Sequence, residues 1–167
     1  MRFLAIDYGT RRIGLAVCDE LEFGAYPLRT LTRSRSLRHD LAEIARLAQK
    51  EGAEGLVVGL PLNADGSRGP SAEAAAQFAR SLAKHTRLPI SMHDEFLTTA
   101  DAEAELIEAD VSRRRRREVI DQMAAVHLLE AFLRHRQEEK TRAAAQQQSA
   151  PAAVTDEAAA PEGQSAT

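Results

Sequence analysis

The chain has 167 residues, 44% of them apolar, a single cysteine and a formal net charge of −3; this is enough to bury one ordinary core and too little for a second independent domain. Cys18, the one cysteine, excludes an intramolecular disulfide, and no apolar run approaches the roughly 20 residues of a membrane span. The opening MRFLAIDYG carries an acid inside its apolar stretch and lacks a small-residue cleavage site, which is unlike a secretory signal. A cytoplasmic protein without membrane association is expected, with Cys18 a buried structural thiol. The excess acids, Asp156, Glu157 and Glu162, all lie beyond residue 142, so the body before them is neutral. If three of its carboxylates hold metal, the remainder is net basic and modestly favours an anionic substrate.

Taken in chain order, RFLAIDY reads as a strand and RIGLAVCD as its hairpin partner across the Gly9-Thr10-Arg11 turn. A third strand is expected over 25–31. Ser36 has the chemistry of a helix N-cap, and Leu37, Leu41, Ile44 and Leu47 recur at helical spacing until Gly52 ends the pattern. GLVVGL is a short continuous apolar run, as in a central strand covered on both faces. The loop PLNADGSRGP follows, then an alanine-rich helix from Pro70 or Ser71 to about Lys84, and a strand PISMHDE after Pro89. Thr98 or Thr99 can cap a further helix bearing Ala102, Leu106 and Ile107. After the basic run Arg113 to Arg117, VIDQMAAVHLLEAFL forms a last helix. The order predicts an α/β domain over 1–140 with a mixed five-stranded sheet, a meander first and parallel strands added by crossovers. Residues 141–167 offer almost nothing to bury and predict a disordered tail.

Four acids stand where chemistry is expected. Asp7 interrupts an apolar strand, where a carboxylate is costly unless it binds a cation or accepts several hydrogen bonds; ligation and capping of the Gly9-Thr10 turn both satisfy it. Asp94 and Glu95 end the fifth strand, and because strand residues alternate, one of the two points toward any given face. Asp121 falls in an otherwise apolar helix, where a first-turn dipole interaction is the bland alternative. Hard oxygen ligands of this kind suit Mg²⁺ or Mn²⁺ and two-metal phosphodiester hydrolysis. Asn63 and Ser67 lie in a glycine-rich loop that could approach phosphate through its backbone, although such composition also makes ordinary turns. Arg113, Arg114, Arg115, Arg116 and Arg117 form either a solvated charge run or a phosphate-tracking patch. Sparse aromatics argue against single-strand recognition by stacking, and His93 and His127 read as packed or hydrogen-bonded side chains.

The stretches AIDYGTRRIGLAVCD, VVGLPLNADGS, DEFLTTADAE and IDQMAAVHLLEAFL, in this order over about residues 3–133, resemble the YqgF/RuvX family, which is related to RuvC-type Holliday junction resolvases. The resemblance implies an RNase H-like fold and an acidic triad of Asp7, Glu95 and Asp121, with Asp94 a second-tier ligand. It implies a nuclease that matures the 5′ end of pre-16S rRNA, or alternatively one that cuts branched DNA, which would favour a homodimer. In the family pattern an Arg follows the acidic pair where this chain has Phe96, so phosphate contact falls more on Arg11, Arg12 and the 113–117 run. Two rivals stand beside this reading. D-x-G-T at 7–10 also resembles the first phosphate loop of actin-like ATPases, but the chain has room for only one such subdomain. A non-cutting RNase H-like nucleic-acid-binding module is the other, and it is disfavoured by the intact acids.

Overall fold

The computed structural model describes residues 1–94 and 113–148. Glu95, Phe96 and the helix expected after Thr98 or Thr99 lie outside the described residues. The meander is β1 (Phe3–Tyr8), β2 (Arg12–Cys18) and β3 (Ala25–Thr32). Then come α1 (Leu37–Lys50), β4 (Gly55–Leu60), α2 (Pro70–Leu82), β5 (Ile90–Asp94) and α3 (Arg113–Gln148). The sheet order is β3-β2-β1-β4-β5. β1 is antiparallel to β2 and parallel to β4, and β5 is parallel to β4. The mixed five-stranded sheet expected from the sequence is therefore present, with β1 at its centre.

Strand alternation divides the core in two. Leu4, Ile6, Ile13, Leu15, Leu56 and Val58 are fully buried against Leu41 and Ile44 of α1 and Phe78 and Leu82 of α2. Phe3, Ala5, Ala16, Cys18 and Val57 point the other way, onto Ala125, Leu128, Leu129 and Leu133 of α3. GLVVGL is buried along its whole length because helices cover both faces, and each large aliphatic side chain removed from water there contributes roughly 1.5–3 kcal/mol. Cys18 is buried as expected, its Sγ accepting the Phe3 N–H at 3.1 Å.

Local chemistry explains the helix ends. Ser36 caps α1 by accepting the His39 N–H on its hydroxyl, and Gly52, at φ +66°, turns the chain back toward β4. Pro70 occupies the first turn of α2, where its missing N–H costs nothing. Alanines 72, 75, 76 and 79 form the buried stripe of that helix. Among the described residues, no helix is long and apolar enough to cross a membrane.

Two expectations about the last helix are corrected. The arginine run is not a connection before the helix but its first turns, and the helix continues to Gln148, so residues 141–148 are not part of a disordered tail. Ala, Gln, Lys and Arg are strong helix formers, and the exposed end is tied down: Arg136 and Lys140 both pair with Glu22 in the β2–β3 turn, at 3.2 and 2.8 Å.

Candidate active site

Asp7 lies near the C-terminal end of the central strand, on the face covered by α3. Its register partner on β2 is Gly14. Extending the β1–β4 pairing by one position sets Gly59 beside it on the other side, and Gly59 pairs with His93 of β5. The carboxylate thus stands in a row with a glycine on either flank. The Gly14 gap is occupied by helix backbone: a Cβ there would overlap the carbonyl oxygen of Asp121. α3 can therefore lie against β2 at this point and present Asp121 to Asp7.

The two carboxylates feel each other. Burial first, and the nearby charge of Asp121 second, push the Asp7 carboxyl up to about 6 from its ordinary 3.8. Asp121 meanwhile has a cation of its own, because Arg12, on the same face of β2 as Gly14, donates its Nε–H to the Asp121 carboxylate. That hydrogen bond, opposed by desolvation and reinforced by the charges of Asp121 and Glu118, makes the Arg12 guanidinium hold its proton more tightly. Asp121 also lies more than two turns inside α3, so a first-turn dipole interaction does not account for it.

The other sequence candidates are placed as follows. Asp94 ends β5, exposed, and pairs with Leu60; alternation puts it on the α1/α2 side of the sheet, opposite Asp7. Among the described residues no three His, Cys, Asp or Glu side chains come together as a metal cluster. The described part of the centre is the Asp7–Asp121 pair, two hard oxygen donors in a partly desolvated, repulsive arrangement. Such a pair fits a divalent cation, which would compensate both the burial that chiefly raises Asp7 and the repulsion from Asp121.

Arg11 is exposed at the tip of the β1–β2 turn, which closes through Gly9 N–H to the Arg12 carbonyl at 3.0 Å. Asn63 and Ser67 build their own turn: Asn63 Nδ2 donates to Ser67 Oγ at 2.9 Å, while the Ser67 N–H and hydroxyl both donate to Asp65. Of the arginine run, Arg115 and Arg117 are exposed and Arg116 half-buried, one to two turns before Asp121. His93 packs edge-on against Phe132 at 5.9 Å and lies 5.9 Å from His135; burial first, and His135 second, hold it below the usual histidine range. His127 is half-buried on α3.

One contributor escaped the sequence reading. Arg33, just past β3, donates to the carbonyls of Thr10 and Gly9 at 3.0 and 3.4 Å and lies 4.6 Å over the Tyr8 ring, which itself stacks on Phe78. It ties down the turn that carries Arg11. No spacing rule links position 33 to position 10, and the antiparallel register alone makes them neighbours.

A protein of Moorella thermoacetica named as a candidate pre-16S rRNA nuclease is 50% identical over 133 residues, covering 80% of this chain and 94% of that one. A similarly named protein of Myxococcus xanthus is 47% identical over 133 residues, covering 80% and 87%. The fold is similar to that of T. thermophilus RuvC, solved in complex with a Holliday junction substrate, with a TM-score of 0.50 at 17% identity over 81% of this chain and 95% of RuvC. The family model described as RuvX, Holliday junction resolvase, matches residues 1–135, and the chain belongs to the RuvX family.

Proposed function

We propose that the protein is a metal-dependent nuclease that hydrolyses phosphodiester bonds in the 5′-end maturation of pre-16S rRNA. The observation that carries this reading is the Asp7–Asp121 pair, drawn together across a glycine and leaving Asp7 raised to about 6. Buried like charges at this cost are what a cation-binding catalytic centre needs and what a purely structural turn does not. The names of the relatives supply the substrate class.

In this reading Asp7 and Asp121 hold the divalent metal, Mg²⁺ or Mn²⁺, with Glu95 of the family motif as the third carboxylate. When bound, the metal supplies charge neutralisation at the scissile phosphate and an acidified water. The residues of the chain do the remainder. The strand and helix backbones fix the two carboxylates, Arg33 holds the turn that offers Arg11 to a phosphate, and Arg115, Arg116 and Arg117 bring positive charge one to two helical turns from Asp121. Asn63 and Ser67, bound to their own turn, contribute its shape and exposed backbone.

A second reading, cleavage of branched DNA, draws on the Holliday junction description of the family and the RuvC-like fold. It favours a homodimer, because two strands are cut in a paired manner. The deciding experiment sets precursor rRNA, single-stranded RNA and four-way junction DNA side by side with Mn²⁺, for the wild type and for Asp7→Asn. Cleavage of precursor rRNA that the substitution abolishes is expected. Cutting confined to junctions would overturn the rRNA substrate, and undiminished cleavage by the variant would overturn the site.

A further inference from the structure

Arg12 is a cation in direct contact with Asp121 of the acidic pair, and its placement is specific. It lies two residues before Gly14 on the same strand face, so its side chain runs beside the point where α3 touches the sheet. Its Nε–H is the donor spent on Asp121, out of the five N–H groups a guanidinium carries. The Arg12 side chain is 30% exposed and that of Asp121 19%, so neither is locked in the core. Glu118 lies one turn earlier on α3, acts on the same guanidinium through space, and has its backbone carbonyl held by the Thr30 hydroxyl at 2.8 Å. Glu118 and Asp121 are three positions apart on α3, so the two carboxylates are neighbours on one side of a pinned stretch of helix.

We infer that Arg12 is the resident counter-cation of the metal-free centre, and that a divalent ion entering between Asp7 and Asp121 displaces it from Asp121 toward Glu118. This rests on the metal-centre reading above. Arg12 then acts as a positioning residue in two ways. Without metal it neutralises Asp121 and keeps α3 docked although two acids face each other. With metal it leaves Asp121 free to ligate, and its guanidinium stays beside the centre as a donor for a substrate phosphate. A direct consequence is competition: the arginine and the metal contend for one carboxylate, so removing the arginine tightens metal binding while loosening the empty protein.

The test is Mn²⁺ titration by calorimetry on the full chain, with thermal unfolding in chelator as the second readout. Arg12→Met keeps the length and apolar stem of the side chain and removes its charge. It is expected to bind Mn²⁺ about tenfold more tightly than wild type, the scale of one partly screened charge contact, and to unfold at a lower temperature when metal-free. Glu118→Gln is expected to weaken Mn²⁺ binding in the wild type and to have no effect in the Arg12→Met background. A Glu118→Gln effect of equal size in both backgrounds would mean that Glu118 acts on the metal directly, and the displacement would be refuted. Binding that depends on Asp7 but is unchanged or weaker in Arg12→Met would also refute it, while leaving the metal centre standing. Wild-type binding indifferent to Asp7→Asn would remove both. If Arg12→Met does not fold, the Arg12 Nε–H resonance of the wild type decides: a shift on Mg²⁺ addition supports displacement, and an unmoved signal at metal saturation rejects it.

Discussion

Gly14 and Asp121 touch through backbone alone, since a Cβ on Gly14 would overlap the Asp121 carbonyl oxygen, and Gly14 is at the same time the register partner of Asp7. The separation of the two acids is thus set by a side chain that is not there. Gly14→Ala should cost about 1–3 kcal/mol, because the obstructing atom belongs to a helix backbone that cannot rotate away. It should weaken Mn²⁺ binding beyond what the loss of folded protein explains. Thermal unfolding and calorimetry on the same sample check both, and a variant with wild-type values in each would disprove the contact.

The pH dependence follows from Asp7. Its folded value, about 6, lies above its ordinary 3.8, so the fold favours the protonated form. The associated stability is fully present below about pH 4 and is lost as pH rises through 6. In chelator, the wild type should therefore lose about 1–3 kcal/mol relative to Asp7→Asn between pH 4 and pH 7. Parallel stability profiles for the two proteins would contradict this.

Glu22 anchors the far end of α3. Its side chain is 11% exposed and faces the N-terminal ammonium, Arg136 and Lys140; desolvation pushes its carboxyl up, but these cations outweigh it and hold the group below the ordinary value. Glu22→Gln should destabilise by about 1–2 kcal/mol at neutral pH. A lowered folded value means that this contribution exists above the unfolded value and disappears as pH falls through the folded one. Since the family match stops at residue 135, truncation after Leu133 removes both α3 cations and should lower the melting temperature in the same way, and Glu22→Gln should add little to the truncated chain.

Arg33 should separate substrate binding from stability. Arg33→Met keeps the length of the apolar stem but loses the guanidinium over Tyr8 and its bonds to the Thr10 and Gly9 carbonyls. The expected result is a several-fold rise in KM for nucleic acid with a melting temperature close to that of wild type. An unchanged KM would mean that the turn carrying Arg11 does not meet the substrate.

Local chemistry was legible in the sequence wherever it acts over a few residues. The Ser36 cap, the stop at Gly52 and the doubly covered GLVVGL strand follow from spacing and residue type, and all are present. The acids were visible as anomalies in apolar segments, Asp7 above all. Relations that depend on register were not legible. Arg12 reads from sequence as a phosphate contact, and only the docking of α3 puts Asp121 beside it. Asp94 and its neighbour cannot be told apart until β5 is paired with β4, which sets Asp94 opposite Asp7. The extent of α3 was underestimated because residues 134–148 carry little apolar periodicity, whereas what holds them is a distant glutamate in a turn. The self-bonded Asn63–Ser67 turn has the composition of a phosphate loop and differs from one only in where its hydrogen bonds go.

The contact between Arg12 and Asp121 spans 109 positions of sequence, and this separation bears on the life of the chain as it is made. A ribosome that has released the meander has already exposed Asp7, but not the helix that completes the pair. Because synthesis runs from the N-terminus at a finite rate, every partial product that ends before the last helix carries Asp7 and Arg12 without Asp121. The two acids of the proposed metal centre are therefore brought together only after nearly the whole body of the fold has been made.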